Sequence, residues 1–249
     1  YAYWGDLGRT DLEKAEIIQK RLLQLRMGGK IPDVILYTEH LPVVTFGISK
    51  DQNRFSEDFL NEIKIRFGVV NEETVLNALK SLEIKFHQTD RGGGSLYLGP
   101  GQAVFYPIVD YAKVVGRDMG VGNYNSLLDE VMVQTLKDHY NVEARAFKVT
   151  DHLPEIDTNG NRSDRRDVWV EKNSMHYKIG SKGIHTNGNF AYFGFSLFVK
   201  KEGLKGFRIV LPCGYTRDRL DVTCIEDEIN DDIDMQQVVN SVRSFIEEK

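Results

Sequence analysis

Helix-period and strand-period segments follow one another in this sequence without the strict strand–helix–strand rhythm of a doubly wound sheet. That pattern predicts an α+β chain with a mixed β-sheet flanked by helices. A first helix is expected where Thr10-Asp11-Leu12-Glu13 reads as a capping box. Leu12, Ala15, Ile18, Leu22 and Leu25 then recur at helical spacing until Gly28-Gly29. Further helices are expected over Glu72 to Leu82, Asn123 to Tyr140 and Asp232 to Glu247. Short β-rich runs predict strands at Asp33–Tyr37, Val43–Phe46, Ile84–Phe86 and Ala103–Val109. Val168–Val170, Met175–Ile184 and Phe190–Val199 read as successive strands of a meander. The one compositional break, His152 to Asp167, is rich in Asp, Asn, Arg and Gly. It reads as an exposed insertion loop inside a single domain spanning residues 1–249.

Composition removes several function classes. A net charge of −5 argues against a broad nucleic-acid footprint. The two cysteines, Cys213 and Cys224, are too few for a disulfide scaffold and suit a reduced, cytoplasmic setting. No apolar run is long enough to span a bilayer, and no Cys/His cluster has zinc-ligand spacing, so neither a membrane nor a metal is expected.

Three segments carry chemistry. Cys213 sits in Leu211-Pro212-Cys213-Gly214-Tyr215, a Pro/Gly turn that is a poor place for a core residue. A free cysteine is usually a buried structural thiol, but one beside a cation is a thiolate nucleophile. Cys224, in the apolar, β-like Val222-Thr223-Cys224-Ile225, reads as a packing residue. Lys178 lies in a strand-like segment. It is either a solvated charge or, if buried, a group suited to proton transfer. Lys182 falls on the same strand face as a rival or a helper. The third segment is Arg91-Gly92-Gly93-Gly94-Ser95-Leu96-Tyr97-Leu98-Gly99-Pro100-Gly101-Gln102. It lacks both standard nucleotide-loop signatures, and consecutive glycines there favour either a plain turn or close backbone approach to a ligand. Arg91 either orients an acyl-carrier group or pairs with a carboxylate. The histidines, His40, His87, His176 and His185 among them, are scattered and take no lead role. Together the segments suggest acyl transfer through a thioester.

These motifs resemble the octanoyltransferase family of lipoate biosynthesis, the lipoate-protein ligase B group. Glu39-His40-Leu41-Pro42-Val43-Val44-Thr45-Phe46-Gly47 is similar to its early segment and the glycine run to its Arg-Gly-Gly loop. Val168-Trp169-Val170, Lys178-Ile179 with Gly183, and Pro212-Cys213-Gly214 follow in family order. The resemblance implies a single domain of the biotin/lipoate protein ligase type and no cofactor. It implies that an octanoyl group passes from acyl carrier protein to Cys213. From there it passes to a lysine of a lipoyl domain, in a 2-oxoacid dehydrogenase complex or the glycine cleavage H protein. Lys178 would match the lysine that lowers the cysteine pKa. Arg91, Gly92, Gly93, Gly94, Ser95, Leu96, Tyr97, Leu98, Ser181, Lys182, Gly183, Gly194, Phe195 and Ser196 would line the acyl site. Leu98, Phe193 and Phe198 depart from the family pattern by replacing two histidines and an asparagine, which predicts a drier, apolar tunnel. Two other readings compete: an ATP-dependent lipoate or biotin ligase, and a non-catalytic paralogue that binds the acyl carrier or lipoyl domain.

Overall fold

A computed structural model describes residues 2–48, 55–148, 166–173, 175–210 and 220–248. The elements run β1 (Tyr3–Thr10), α1 (Leu12–Met27), β2 (Val34–His40), β3 (Val43–Phe46), α2 (Glu57–Phe67), α3 (Glu72–Ser81), β4 (Lys85–Gln88) and β5 (Ser95–Leu98). They continue β6 (Gln102–Asp110), α4 (Tyr111–Val115), α5 (Val121–Tyr140), β7 (Ala144–Lys148), β8 (Arg166–Lys172), β9 (Met175–Asn187) and β10 (Phe190–Phe198). A 3-10 helix over Lys201–Arg208, β11 (Leu220–Val222), α6 (Ile225–Ile229) and α7 (Met235–Glu248) follow.

The large sheet has the order β1-β2-β6-β10-β9-β8-β7, with β11 added beside β9. It is mixed: β1 runs parallel to β2 and β11 parallel to β9, while the other pairs are antiparallel. A second sheet of three strands has the order β4-β3-β5. The fold class expected from the sequence is therefore the one observed, and β8, β9 and β10 form the expected meander.

Strand β6 shows why the layers form. All nine of its residues are buried, as a central strand covered on both faces requires. Ala103, Phe105 and Val109 point to the face held by Leu128, Val131, Met132 and Leu136 of α5 and Val238, Val239 and Val242 of α7. Val104, Tyr106 and Ile108 point the other way, to Leu12, Ala15 and Leu23 of α1 and to Val43 and Leu98 of the small sheet. The small sheet's opposite face packs Val44, Phe46 and Tyr97 against Phe59 and Ile63 of α2, Leu79 of α3 and Phe207. Each of the buried Val, Leu, Ile, Met and Phe side chains contributes about 1.5–3 kcal/mol.

Local signals set the boundaries. Asn71 caps α3 reciprocally with Thr74. The expected capping box at Thr10 is replaced by a single side-chain cap one residue on. Asp11 is the cap, its carboxylate accepting from Glu13 N at 3.0 Å, because Thr10 still belongs to β1. Strand β1 is absent from the sequence expectation; it is an edge strand with exposed polar residues and no clean alternation. Helix α2 is also absent from it. Yet Ser56 accepts from Phe59 N at 3.2 Å, and Gly68 ends the helix in the left-handed region with φ 76°.

The proposed insertion loop needs correction at its end. Most of it lies outside the described residues, but Arg166 and Asp167 open β8, and Asp167 is buried. Its polar type suggested a loop; an ion pair is what allows it inside. No helix among the described residues is long and apolar enough to cross a membrane.

Candidate active site

The glycine run folds into a loop stitched to two strands. Gly47 N donates to the Gly94 carbonyl at 3.1 Å, Ile48 N to that of Arg91 at 3.0 Å, and Gly92 N to that of Ile184 at 2.9 Å. Glycine is required where these backbones meet. A Cβ on Gly47 would lie 2.3 Å from the Gly93 carbonyl oxygen, and one on Gly183 would lie 2.7 Å from that of Gly92. Arg91 is buried beneath the loop. Its guanidinium donates to the Thr45 hydroxyl at 2.6 and 3.0 Å and to the Gly92 and Gly94 carbonyls at 3.0 and 2.9 Å. In this arrangement Arg91 shapes the loop.

Beside the loop lies a cleft of about 610 Å³ between Arg91–Leu96, the start of α5 and β9. Two lysines of β9 reach it, and each meets a carboxylate from another element. Lys178 Nζ lies 2.8 Å from Asp167 Oδ2 of β8, with the two side chains 5% and 7% exposed. Lys182 donates to Asp129 of α5 and, at 3.0 Å, to the Asn125 carbonyl. Neither lysine is a solvated surface charge. Nor does Lys182 stand as a bare cation beside Lys178, since its charge faces Asp129.

A narrow apolar lobe adjoins the cleft, sharing Arg91, Leu96, Ser181, Lys182 and Gly183 with it. Leu98, Phe193, Gly194, Phe195 and Ser196 also line it. The lobe lies between the small sheet and β10. Its volume is about 30 Å³, room for a water or two. Two residues expected at the acyl site sit elsewhere. Tyr97 packs under Gly206 and against the Phe207 ring, 6.0 Å between centroids. Phe198 packs on the same ring at 4.8 Å. Both belong to the core that holds Val44, Phe46, Phe59 and Ile63, because alternation along a strand sends neighbours to opposite faces.

Cys213 and its Pro-Cys-Gly turn lie outside the described residues. Cys224 is buried at the start of α6, and burial pushes its thiol up to about 12, so it is inert packing. His40 is likewise structural: Nδ1 donates to the Thr10 carbonyl at 3.1 Å, which leaves Nε2 to accept from the Tyr106 hydroxyl at 2.6 Å. Asp167 and Asp129 were not read from the sequence as site residues. Only their lysine partners, distant in sequence, give them that place.

The sheet arrangement is that of the biotin/lipoate ligase fold. Lipoate-protein ligase A solved with ATP superposes with a TM-score of 0.62 at 15% identity, covering 99% of this chain and 84% of that one. A bipartite lipoate protein ligase of Thermoplasma acidophilum, solved in a study with its E2 lipoyl domain, gives 0.61 at 15%, covering 98% and 81%. At these identities the likeness shows the fold alone. The sequence goes further. Residues 12–247 match the lipoyl protein ligase A/B catalytic domain, and the chain belongs to that family. An octanoyltransferase of Alkaliphilus metalliredigens is 30% identical over 243 residues, covering 98% of this chain and 92% of its own. One of Caldicellulosiruptor bescii is 32% identical over 241 residues, covering 96% and 87%.

Proposed function

We propose that this chain is an octanoyltransferase of protein lipoylation that works through a thioester on Cys213. The observation that carries the reading is the buried lysine Lys178 at a glycine-loop cleft, in a chain related to octanoyltransferases over nearly its whole length. The donor is octanoyl-acyl carrier protein and the acceptor a lipoyl-domain lysine, in a reducing, cytoplasmic setting.

The resting pair is the Cys213 thiolate and the Lys178 ammonium, formed by proton transfer from thiol to amine. The thiolate attacks the donor carbonyl. A new S–C bond forms, the carrier's S–C bond breaks, and the departing thiolate takes the proton of Lys178. The acceptor's neutral amine then attacks the enzyme thioester. A C–N bond forms, the Cys213 S–C bond breaks, and the amine's proton passes to Lys178, which regenerates the resting pair. The loop's backbone and the apolar lobe hold the carbonyl and the first carbons of the chain. No ATP is consumed.

Intact mass after incubation with octanoyl-acyl carrier protein tests this. The expected result is one octanoyl adduct that hydroxylamine removes, absent in Cys213→Ser and retained in Cys224→Ala. An adduct that moves with Cys224, or transfer that needs ATP and releases pyrophosphate, would overturn it.

A further inference from the structure

The lysine of the cleft is held from two sides. Its Nζ lies 2.8 Å from Asp167 Oδ2 and 5.9 Å from the centre of the Trp169 ring. Its strand is pinned on the outer side, where Thr223 N donates to the Lys178 carbonyl at 2.9 Å. The β8–β9 register shifts between Val168 and Trp169, directly after Asp167. Such irregularities re-aim side chains, and they recur beside active sites. Asp167 itself lines the cleft with Lys178. Stability is a weak reason for such a pair, because apolar residues of similar volume commonly replace buried ion pairs at no loss.

We propose that Asp167 is a positioning residue for acyl transfer: it aims Lys178 into the cleft and stabilises its ammonium form. The proposal rests on the roles of Cys213 and Lys178 given above. Asp167 stays ionised throughout and exchanges no proton. It does for the lysine what the orienting third group does for the base in other nucleophile–base pairs. Among the described residues, other ionisable groups on the elements around Lys178 include Asp129 with Lys182, Arg91 in the glycine loop, Glu171 and Lys172 on β8, His176 and His185 on β9, and Asp221 on β11. Asp167 lies within hydrogen-bond distance of Lys178 from β8.

The test compares the full chain with Asp167→Asn and Asp167→Glu. Lys178 is labelled competitively with acetic anhydride across a pH series and read by peptide mass. Octanoyl transfer is followed over the same range, and near-ultraviolet circular dichroism checks the fold. Removing the carboxylate removes what favours the ammonium. Lys178 should therefore label at a pH lower by roughly one unit or more in Asp167→Asn. The alkaline limb of kcat should move the same way, with kcat down about tenfold and KM within about twofold. Asp167→Glu should restore both limbs. A merely structural role would lower the amount of active protein and leave the limbs in place, so an unshifted labelling curve or an unshifted kcat limb overturns the proposal. If the Asn variant does not fold, the wild type decides. Lys178 labelling only above the ordinary lysine value, about 10.4, supports the proposal, and labelling at neutral pH overturns it. A wild type without a Cys213 adduct would sink the thioester reading first. An adduct with unmoved limbs would remove only the role of Asp167.

Discussion

Lys178 and Lys182 share a strand and a cleft, yet their partners give them different work. Lys178 meets Asp167 from the neighbouring strand, whereas Lys182 ties β9 to α5 through Asp129 and the Asn125 carbonyl. Lys178→Arg should lower octanoyl transfer by about 10²-fold or more, because a guanidinium keeps its charge but does not give up its proton. Steady-state kinetics check this, and transfer within about twofold of wild type would return Lys178 to a structural role. His40 makes a separate prediction about pH. Burial lowers its pKa from 6.5 to about 4, despite the Thr10 carbonyl that acts the other way. The unfolded chain therefore binds a proton that the folded chain refuses between those values. Stability should fall as pH drops from 6.5 toward 4, by about 3 kcal/mol from this residue alone. Urea midpoints across that range should show a smaller drop in His40→Gln, and equal drops in the two proteins would refute the assignment.

At the scale of elements, the glycine loop is held by neighbours rather than by its own conformation. Three backbone hydrogen bonds and the Arg91 guanidinium fix it to β3 and β9. Gly47 and Gly183 let those strands approach. Gly47→Ala should force the loop away from β3, since its Cβ would fall 2.3 Å from a carbonyl oxygen. The expected cost is about 1–3 kcal/mol of stability together with a fall in kcat/KM. Thermal midpoint and kinetics are measured together, and an unchanged kcat/KM would mean the loop's position does not matter to the reaction. The lysine-bearing strand β9 has a different support, the meander β8-β9-β10 plus the parallel addition of β11, which together bury its middle.

At the scale of the molecule, the candidate site lies where the two sheets meet, so on the proposed reading both sheets face the acyl chain. Leu96 and Leu98 come from the small sheet, Phe193 and Phe195 from the large one. The lobe between them admits little more than a water as it stands, so a bound chain must part these side chains or extend along the larger cleft. Its apolar wall still favours length. Four methylenes separate octanoyl from butanoyl, worth up to about 3 kcal/mol at roughly 0.8 kcal/mol each. Octanoyl-acyl carrier protein should therefore outcompete butanoyl and acetyl donors strongly in a mixed-donor assay. Equal rates would show that the lobe takes no part in chain selection.

Much of this was open to reading in the sequence, for reasons that are local. The helical stripe on α5 and the buried run of β6 follow from spacing, which a linear sequence displays. Glycine where backbones touch, and the order of the motifs, were legible for the same reason. Edge strand β1 was not, because its exposed face carries no alternation to read. Nor were Asp167 and Asp129. A carboxylate at the end of a polar stretch looks like any loop residue, and one in a helix looks like a solvated charge. Only the folding of β8 and α5 against β9 brings each to its lysine, and only burial makes the pairing decisive, since the same charges in water would barely feel each other.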